Sequence, residues 1–153
     1  WYDVPLTQGS AGGRSTLFGR PSWQAVGPSA GSHDRRLVPD VAAVADPFTG
    51  VKFVFRQQVV VGGGTSQAAP VWAGLAAIIN QVLEESGIEP LGDVNPMLYR
   101  LANGSAEPAF RDIQLGGNAV TRPVPGYDMV TGLGSPNVEN LLKDILVAKA
   151  AGR

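Results

Sequence analysis

The stretch VVVGGGTSQAAP, residues 59–70, decides the fold. Its valines favour a β-strand, its glycines a tight turn, and the apolar residues that follow favour a helix. Ser66 lies where this helix begins, at a place where free backbone N–H groups meet the positive end of the helix dipole. Such a position suits a nucleophile whose substrate oxygen becomes negative. Taken alone, the serine is also explained as a helix N-cap.

The composition is that of one globular domain. The 153 residues are 44% hydrophobic and 16% charged, with a formal net charge of −1 and no basic block. We therefore expect neither nucleic acid nor a membrane surface as a partner. The longest apolar run, residues 68–79, is too short to cross a bilayer. The absence of cysteine excludes disulfides and thiolate metal sites.

Turn residues and hydrophobic spacing predict an α/β architecture. Residues 1–35 are rich in glycine and proline, which predicts loop packed by Phe18 and Trp23. A buried strand is predicted over residues 38–44, and a hairpin over residues 51–61.

Three segments have apolar residues at helical spacing and are predicted helices: residues 66–86, 95–101 and 135–150. The first helix is apolar on every face, so we expect it to be buried on all sides at the centre of the fold. The last is expected to begin at Ser135-Pro136, as cap and first-turn proline.

An ordered set of motifs runs along the whole chain. Gly64-Thr65-Ser66 followed by Pro70 is the nucleophile signature of the subtilisin-like clan. Other motifs precede and follow it in this order: GGRS (12–15), RLVPDV (36–41), ADP (45–47), NP (95–96), LY (98–99), FRDI (110–113), PGYD (125–128) and TGLGSP (131–136). The set resembles the sedolisin (serine-carboxyl peptidase, kumamolisin-like) family. The resemblance implies a subtilisin-like three-layer α/β fold, with a buried central helix after the nucleophile strand.

The resemblance also implies a function, that of a secreted, acid-active endopeptidase with Ser66 as its nucleophile and peptides or proteins as substrates. In that family a glutamate activates the serine and is paired with an aspartate one helical turn away. A further aspartate supplies the oxyanion hole. A carboxylate base works near its own pKa of about 4.3, which explains the preference for acid.

No convincing base for Ser66 is found in this sequence. Three glutamates do not fit the first position of a Glu-x-x-x-Asp pair, because the residue four positions on is not aspartate: Glu84, Glu85 and Glu139. His33, in a polar stretch, is interpreted as a surface loop residue. The chain begins at Trp1 rather than Met, and we expect residues 1–153 to be the C-terminal part of the catalytic domain. Its partner would be the missing N-terminal part, and the isolated chain would be catalytically incomplete.

Two alternatives stay open at this point. The chain could be a non-catalytic calcium-binding fragment or pseudoenzyme, or a subtilisin of the histidine type whose base lies elsewhere. A Glu-x-x-x-Asp segment upstream would favour the sedolisin hypothesis. A histidine motif upstream would favour the histidine-type subtilisin.

Asp112 and Asp128 bracket a loop rich in glycine and proline. Loops of this kind expose backbone carbonyls, and calcium binds carboxylate and carbonyl oxygens. From spacing alone, both aspartates could instead cap turns. The family resemblance implies one structural Ca²⁺, held by the carboxylates of Asp112 and Asp128 and by the main-chain oxygens of Ile113, Val124 and Gly126.

Two further aspartates are interpreted without a catalytic role. Asp46 is predicted to open the turn over residues 47–50, and Asp40 to bond to backbone or to an arginine. The glycines at 62–64 are attributed to backbone geometry, since no lysine of a phosphate-binding loop follows them.

Overall fold

The structure, a computed structural model, describes residues 1–4, 7–26, 34–104 and 107–152. Its described strands form antiparallel pairs: β1 (Tyr2–Asp3) with β2 (Gln8–Gly9), β3 (Gly13–Gly19) with β4 (Arg35–Val38), β5 (Lys52–Phe55) with β6 (Gln58–Val61), and β7 (Phe110–Arg111) with β8 (Ser135–Pro136). The described helices are α1 (Thr65–Glu85), α2 (Asn95–Gly104) and α3 (Val138–Ala150).

The predicted hairpin is confirmed. β5 and β6 pair in register from Lys52 opposite Val61 to Phe55 opposite Gln58. The two residues of the turn, Arg56 and Gln57, have φ of 48° and 64°. Two successive positive φ values give the turn a twist that matches that of the flanking strands. β6 then leads through the glycines into α1.

The core lies where the three helices meet. Its buried side chains come from α1, α2, α3 and the segments between them: Ile79, Leu83, Leu91, Leu98, Leu101, Ala109, Phe110, Leu141 and Ile145. Trp72 of α1 stacks on Phe110, with ring centroids 6.5 Å apart. This core fixes the direction of α1 and therefore the place of its first turn.

The prediction that α1 is buried on all sides is wrong for this chain. Ile79 and Leu83 are its buried residues, whereas Val71 is 42% and Ile78 61% exposed. The buried side of α1 faces α2 and α3, and the opposite side is open within the described residues. An apolar sequence shows which faces can be buried, but the burial itself depends on what packs against them.

Three other predictions about the elements need correction. Residues 13–19 form β3 rather than loop, and Phe18 is 69% exposed instead of packed, whereas Trp23 packs on Tyr99. The strand predicted at 38–44 is wrong beyond its first residue, because β4 (Arg35–Val38) ends at Val38. After Val38 the backbone does not pair with another described strand. Instead, Ala42 N–H donates to Gly134 O, and Ala42 O accepts from Trp72 Nε1.

The third correction concerns α3, which begins at Val138 with Asn137 as its N-cap. Ser135 and Pro136 pair with Arg111 and Phe110 instead of starting the helix. No described helix combines the length and hydrophobicity that a membrane-spanning segment needs.

Candidate active site and metal site

Ser66 is the second residue of α1, and its side chain is exposed. The N-cap of α1 is Gly64, with φ of 83°. Among the described residues, none forms a hydrogen bond with Ser66 Oγ. The alternative that Ser66 is a helix cap is therefore wrong, and its role as a nucleophile stays a prediction.

The first turn of α1 offers free donors beside Ser66. The backbone N–H groups of Thr65 and Ser66 donate no hydrogen bond within the described chain, whereas that of Gln67 bonds to Gly64 O at 2.9 Å. No acidic side chain lies in this turn. The free N–H groups and the helix dipole together make the site favourable for a developing negative charge.

The glycines before Ser66 are required by close packing. A Cβ on Gly63 would lie 2.4 Å from Pro47 Cα, and a Cβ on Gly62 would lie 2.7 Å from a ring carbon of Phe53. Neither contact is possible for a larger residue without movement. The interpretation of residues 62–64 as a matter of backbone geometry is confirmed.

The turn packed on these glycines is the one predicted at residues 47–50. Asp46 Oδ1 accepts a hydrogen bond from Phe48 N–H at 2.9 Å, and Asp46 Oδ2 accepts one from Thr49 Oγ1 at 3.2 Å. The predicted role of Asp46 in opening this turn is confirmed. An open cleft of about 480 Å³ lies between the turn, residues 63–66 and the β1–β2 hairpin.

None of the described carboxylates hydrogen-bonds to Ser66. Glu84 and Glu85 lie at the far end of α1, and Glu139 pairs with Lys143 at 2.9 Å on the exposed side of α3. The hydrogen bond from Lys143 lowers the pKa of Glu139 below its ordinary value. That none of the three glutamates heads a catalytic pair stays a prediction. His33 lies outside the described residues.

A fourth glutamate does head a pair with the right spacing. Glu89 and Asp93 are four residues apart, as in Glu-x-x-x-Asp. Both are exposed and lie in the connection between α1 and α2, with Pro90 and Gly92 between them. Because that connection is not helical, their side chains do not follow one another on one helix face.

Asp112 and Asp128 are brought to the same loop. Gly126 N–H donates to Asp112 Oδ2 at 3.0 Å, and Val124 N–H donates to Asp128 Oδ2 at 3.2 Å. Gln114 Nε2 also donates to Asp112 Oδ2, at 2.8 Å. The structure thus places both predicted carboxylate ligands against the segment that contains two of the predicted carbonyl ligands.

Asp128 also caps a turn, as the alternative interpretation expected. It is buried, and its Oδ1 accepts from the N–H groups of Val130 and Thr131, both at 2.8 Å. Asp112, by contrast, is exposed and has no bond to Oδ1 among the described residues. The two aspartates therefore differ in how much of their hydrogen-bonding capacity the chain itself uses.

The donor chemistry of this loop fits a calcium ion. The predicted main-chain ligands, the carbonyls of Ile113, Val124 and Gly126, accept no hydrogen bond from any described residue. Together with two carboxylates they are a set of oxygens only, the type that calcium prefers. The described residues hold no cluster of three or more His, Cys, Asp or Glu side chains. Such a site would depend on backbone oxygens.

Comparison with known proteins identifies the family. Kumamolisin from Bacillus sp. (strain MN-32) is 42% identical over 157 residues, which cover 95% of this chain. Tripeptidyl-peptidase 1 from Homo sapiens is 34% identical over 90% of this chain. A solved structure of Pseudomonas sedolisin, a serine-carboxyl proteinase complexed with two molecules of pseudo-iodotyrostatin, superposes with a TM-score of 0.76 and 29% identity over 89% of this chain.

The chain belongs to the sedolisin family. No protein-family model matches it. The sedolisin-family chain spans 27% of the length of kumamolisin and of the human peptidase, and 36% of the solved sedolisin chain. The predicted family is confirmed, and so is a sedolisin-like, mixed α/β fold.

Proposed function

We propose that this sedolisin-family chain is the C-terminal part of the catalytic domain of an acid-active serine-carboxyl endopeptidase. Its role is to carry the nucleophile, Ser66. The observation that carries the proposal is the exposed, unbonded hydroxyl of Ser66 at the first turn of α1, beside an open cleft. The likeness to kumamolisin and to sedolisin supports it.

The chemistry follows from this position. Ser66 Oγ attacks the carbonyl carbon of a peptide bond in the cleft and gives up its proton to a base. The carbonyl oxygen becomes negative, and the free N–H groups of Thr65 and Ser66 lie at the same turn to stabilise it. The rigid packing of Gly63 on Pro47 holds this turn in place.

The base comes from outside residues 1–153. No described carboxylate hydrogen-bonds to Ser66, so the Glu/Asp pair and the oxyanion aspartate are assigned to the N-terminal part of the domain, the partner of this chain. The substrate is a peptide or protein, and the chain alone is inactive. By resemblance, the complete enzyme is secreted to the extracellular space, and we expect neither nucleic acid nor a membrane as its partner.

A structural calcium ion completes the proposal. Asp112 and Asp128 provide carboxylates, and the unbonded carbonyls of Ile113, Val124 and Gly126 provide main-chain oxygens. When bound, the ion would hold the loop closed by joining the two carboxylates to carbonyls that accept no hydrogen bond from the described residues. It takes no part in the attack on the substrate.

One observation favours a second candidate. Because no described carboxylate hydrogen-bonds to Ser66, a calcium-binding fragment or pseudoenzyme with the same fold also accounts for the structure. The two differ in whether a Glu-x-x-x-Asp helix accompanies the chain.

Denaturing intact-mass spectrometry of the protein from its own source separates them. The proposal expects a longer polypeptide containing residues 1–153, or a second polypeptide beside the 15.9 kDa chain, with a Glu-x-x-x-Asp segment. In that sample Ser66→Ala should abolish proteolysis at acid pH, while Ser86→Ala, a serine at the other end of α1, should not. A 15.9 kDa chain alone would contradict the proposal.

A further inference from the structure

Asp40 is held by side chains from two elements. Tyr99 Oη of α2 donates to Asp40 Oδ1 at 2.8 Å, and Arg36 of β4 forms an ion pair with Asp40 Oδ2. The prediction that Asp40 bonds to an arginine is thereby confirmed. The ring of Trp23 lies over the Arg36 guanidinium at 5.2 Å, and Gln24 Nε2 donates to Tyr99 Oη at 2.8 Å.

Tyr99 is suited to act as a permanent donor in this cluster. Its side chain is almost fully buried, and burial raises the pKa of its hydroxyl far above the ordinary value of 10.0. The phenol therefore stays protonated at acid and neutral pH. Gln24 fixes it further, since its amide also bonds to the N–H and C=O of Leu37, both at 2.9 Å.

The backbone of Asp40 in turn holds the segment 132–134. Leu133 N–H donates to Asp40 O at 2.8 Å. Gly132 has φ of 64°, and a Cβ there would lie 2.3 Å from Asp40 O. Ala42 N–H donates to Gly134 O at 2.9 Å.

This segment touches both aspartates of the calcium loop. Gly132 N–H donates to Asp128 O at 2.9 Å, and Asp128 N–H donates back to Gly132 O at 3.3 Å. On the other side, a Cβ on Gly134 would lie 2.2 Å from Arg111 O and 3.4 Å from Asp112 Cα. A second link joins the same regions, as Tyr127 Oη donates to Pro39 O at 2.9 Å.

We infer that Tyr99 and Asp40 are positioning residues for the loop that carries Asp112 and Asp128. The pair fixes the backbone at residue 40, that backbone fixes residues 132–134, and these fix the two aspartates relative to each other. The effect of this pair on calcium binding rests on the proposed calcium site, whereas its effect on the loop does not. Outer partners of metal ligands commonly change metal affinity about 10–100-fold.

The test uses the full chain with Tyr99→Phe and Asp40→Ala. Hydrogen-exchange mass spectrometry in EDTA should show protection of residues 124–134 falling about tenfold, as loss of a hydrogen bond to a charged group predicts. Protection of α3 should be unchanged. Tyr2→Phe removes a hydroxyl from an exposed tyrosine and is the matched control. Asp40→Asn keeps an acceptor for Tyr99 and should lose less protection than Asp40→Ala.

Calcium titration by calorimetry then separates the two proposals. We expect Tyr99→Phe to weaken calcium binding about tenfold. If the unaltered chain binds no calcium, the calcium proposal fails, and the exchange data alone decide whether the pair positions the loop. Unchanged protection at 124–134, or an equal loss of protection in α3, overturns the inference whatever the calcium result.

Discussion

Gly63 and Pro47 are in direct backbone contact, because a Cβ on Gly63 would lie 2.4 Å from Pro47 Cα. The turn that Asp46 opens therefore rests on the loop that leads into Ser66. Gly63→Ala should force the two apart and destabilise the chain by about 1–3 kcal/mol, as overpacking does. Thermal unfolding measures this change.

Gly74 provides the matched control for that substitution. It lies within α1, and a Cβ there would have nothing within 4 Å. Gly74→Ala should stabilise the chain by about 0.5–1 kcal/mol, because glycine inside a helix is unfavourable. Equal effects of the two substitutions would contradict the packing account of residues 62–64.

The two aspartates of the proposed calcium site should respond differently to amidation. Asp128→Asn removes an acceptor from buried N–H groups and should destabilise the chain by about 1–3 kcal/mol even in EDTA. Asp112→Asn affects an exposed carboxylate and should change little without calcium. Both should abolish stabilisation by added calcium in thermal unfolding, whereas Asp93→Asn, at an exposed loop position, should not. Retained calcium stabilisation in both variants would exclude the site.

The stability of the chain should fall at alkaline pH. Burial raises the pKa of Tyr127 from 10.0 to about 12. Since the folded pKa lies above the unfolded one, this contribution is complete below pH 10 and is lost as the pH rises toward 12.

Tyr127→Phe tests that window directly. It should cost about 0.5–1.5 kcal/mol at neutral pH through the lost hydrogen bond to Pro39 O. It should also make stability less dependent on pH between 10 and 12. Urea unfolding at neutral pH and across that range measures both effects. An unchanged slope would show that Tyr127 does not titrate as described.

The pair Glu139 and Lys143 should contribute little to stability. Both side chains are exposed, and water screens their attraction. The pKa of Glu139 is lowered, so any contribution is present above its unfolded pKa of 4.5 and disappears as the pH falls through its folded pKa. Lys143→Ala should leave the free energy of unfolding at pH 7 unchanged. A clear loss of stability at pH 7 that disappeared in acid would show that the ion pair is stronger than expected.

The elements that sequence predicted well are those defined locally. The hairpin follows from a two-residue turn between two runs rich in valine and phenylalanine, and α1 from a long apolar run. Local patterns do not predict β3, because it pairs with β4 across an intervening segment. They predict too early a start for α3, because Ser135 and Pro136 pair with residues far back in the chain.

The candidate site divides in the same way. The motif around Ser66 marked the nucleophile, but only the fold shows that Gly64, and not Ser66, caps α1. The aspartates 112 and 128 were identified from their motifs. Sequence does not show that both aspartates bond to one loop, or that the backbone of Asp40 bonds to Leu133 beside it. These facts depend on contacts between distant segments.

The central claim is that Ser66 is the nucleophile of an acid peptidase completed by another part of the domain. The direct measurement is the rate of protein hydrolysis at pH 3–7 by Bacillus kumamolisin in which this chain replaces the matching 27% of the sequence. We expect a folded chimera that is active in acid, inactive with Ser66→Ala, and active with Ser86→Ala. A chimera with native circular dichroism but no activity, or one that stays active with Ser66→Ala, would contradict the claim.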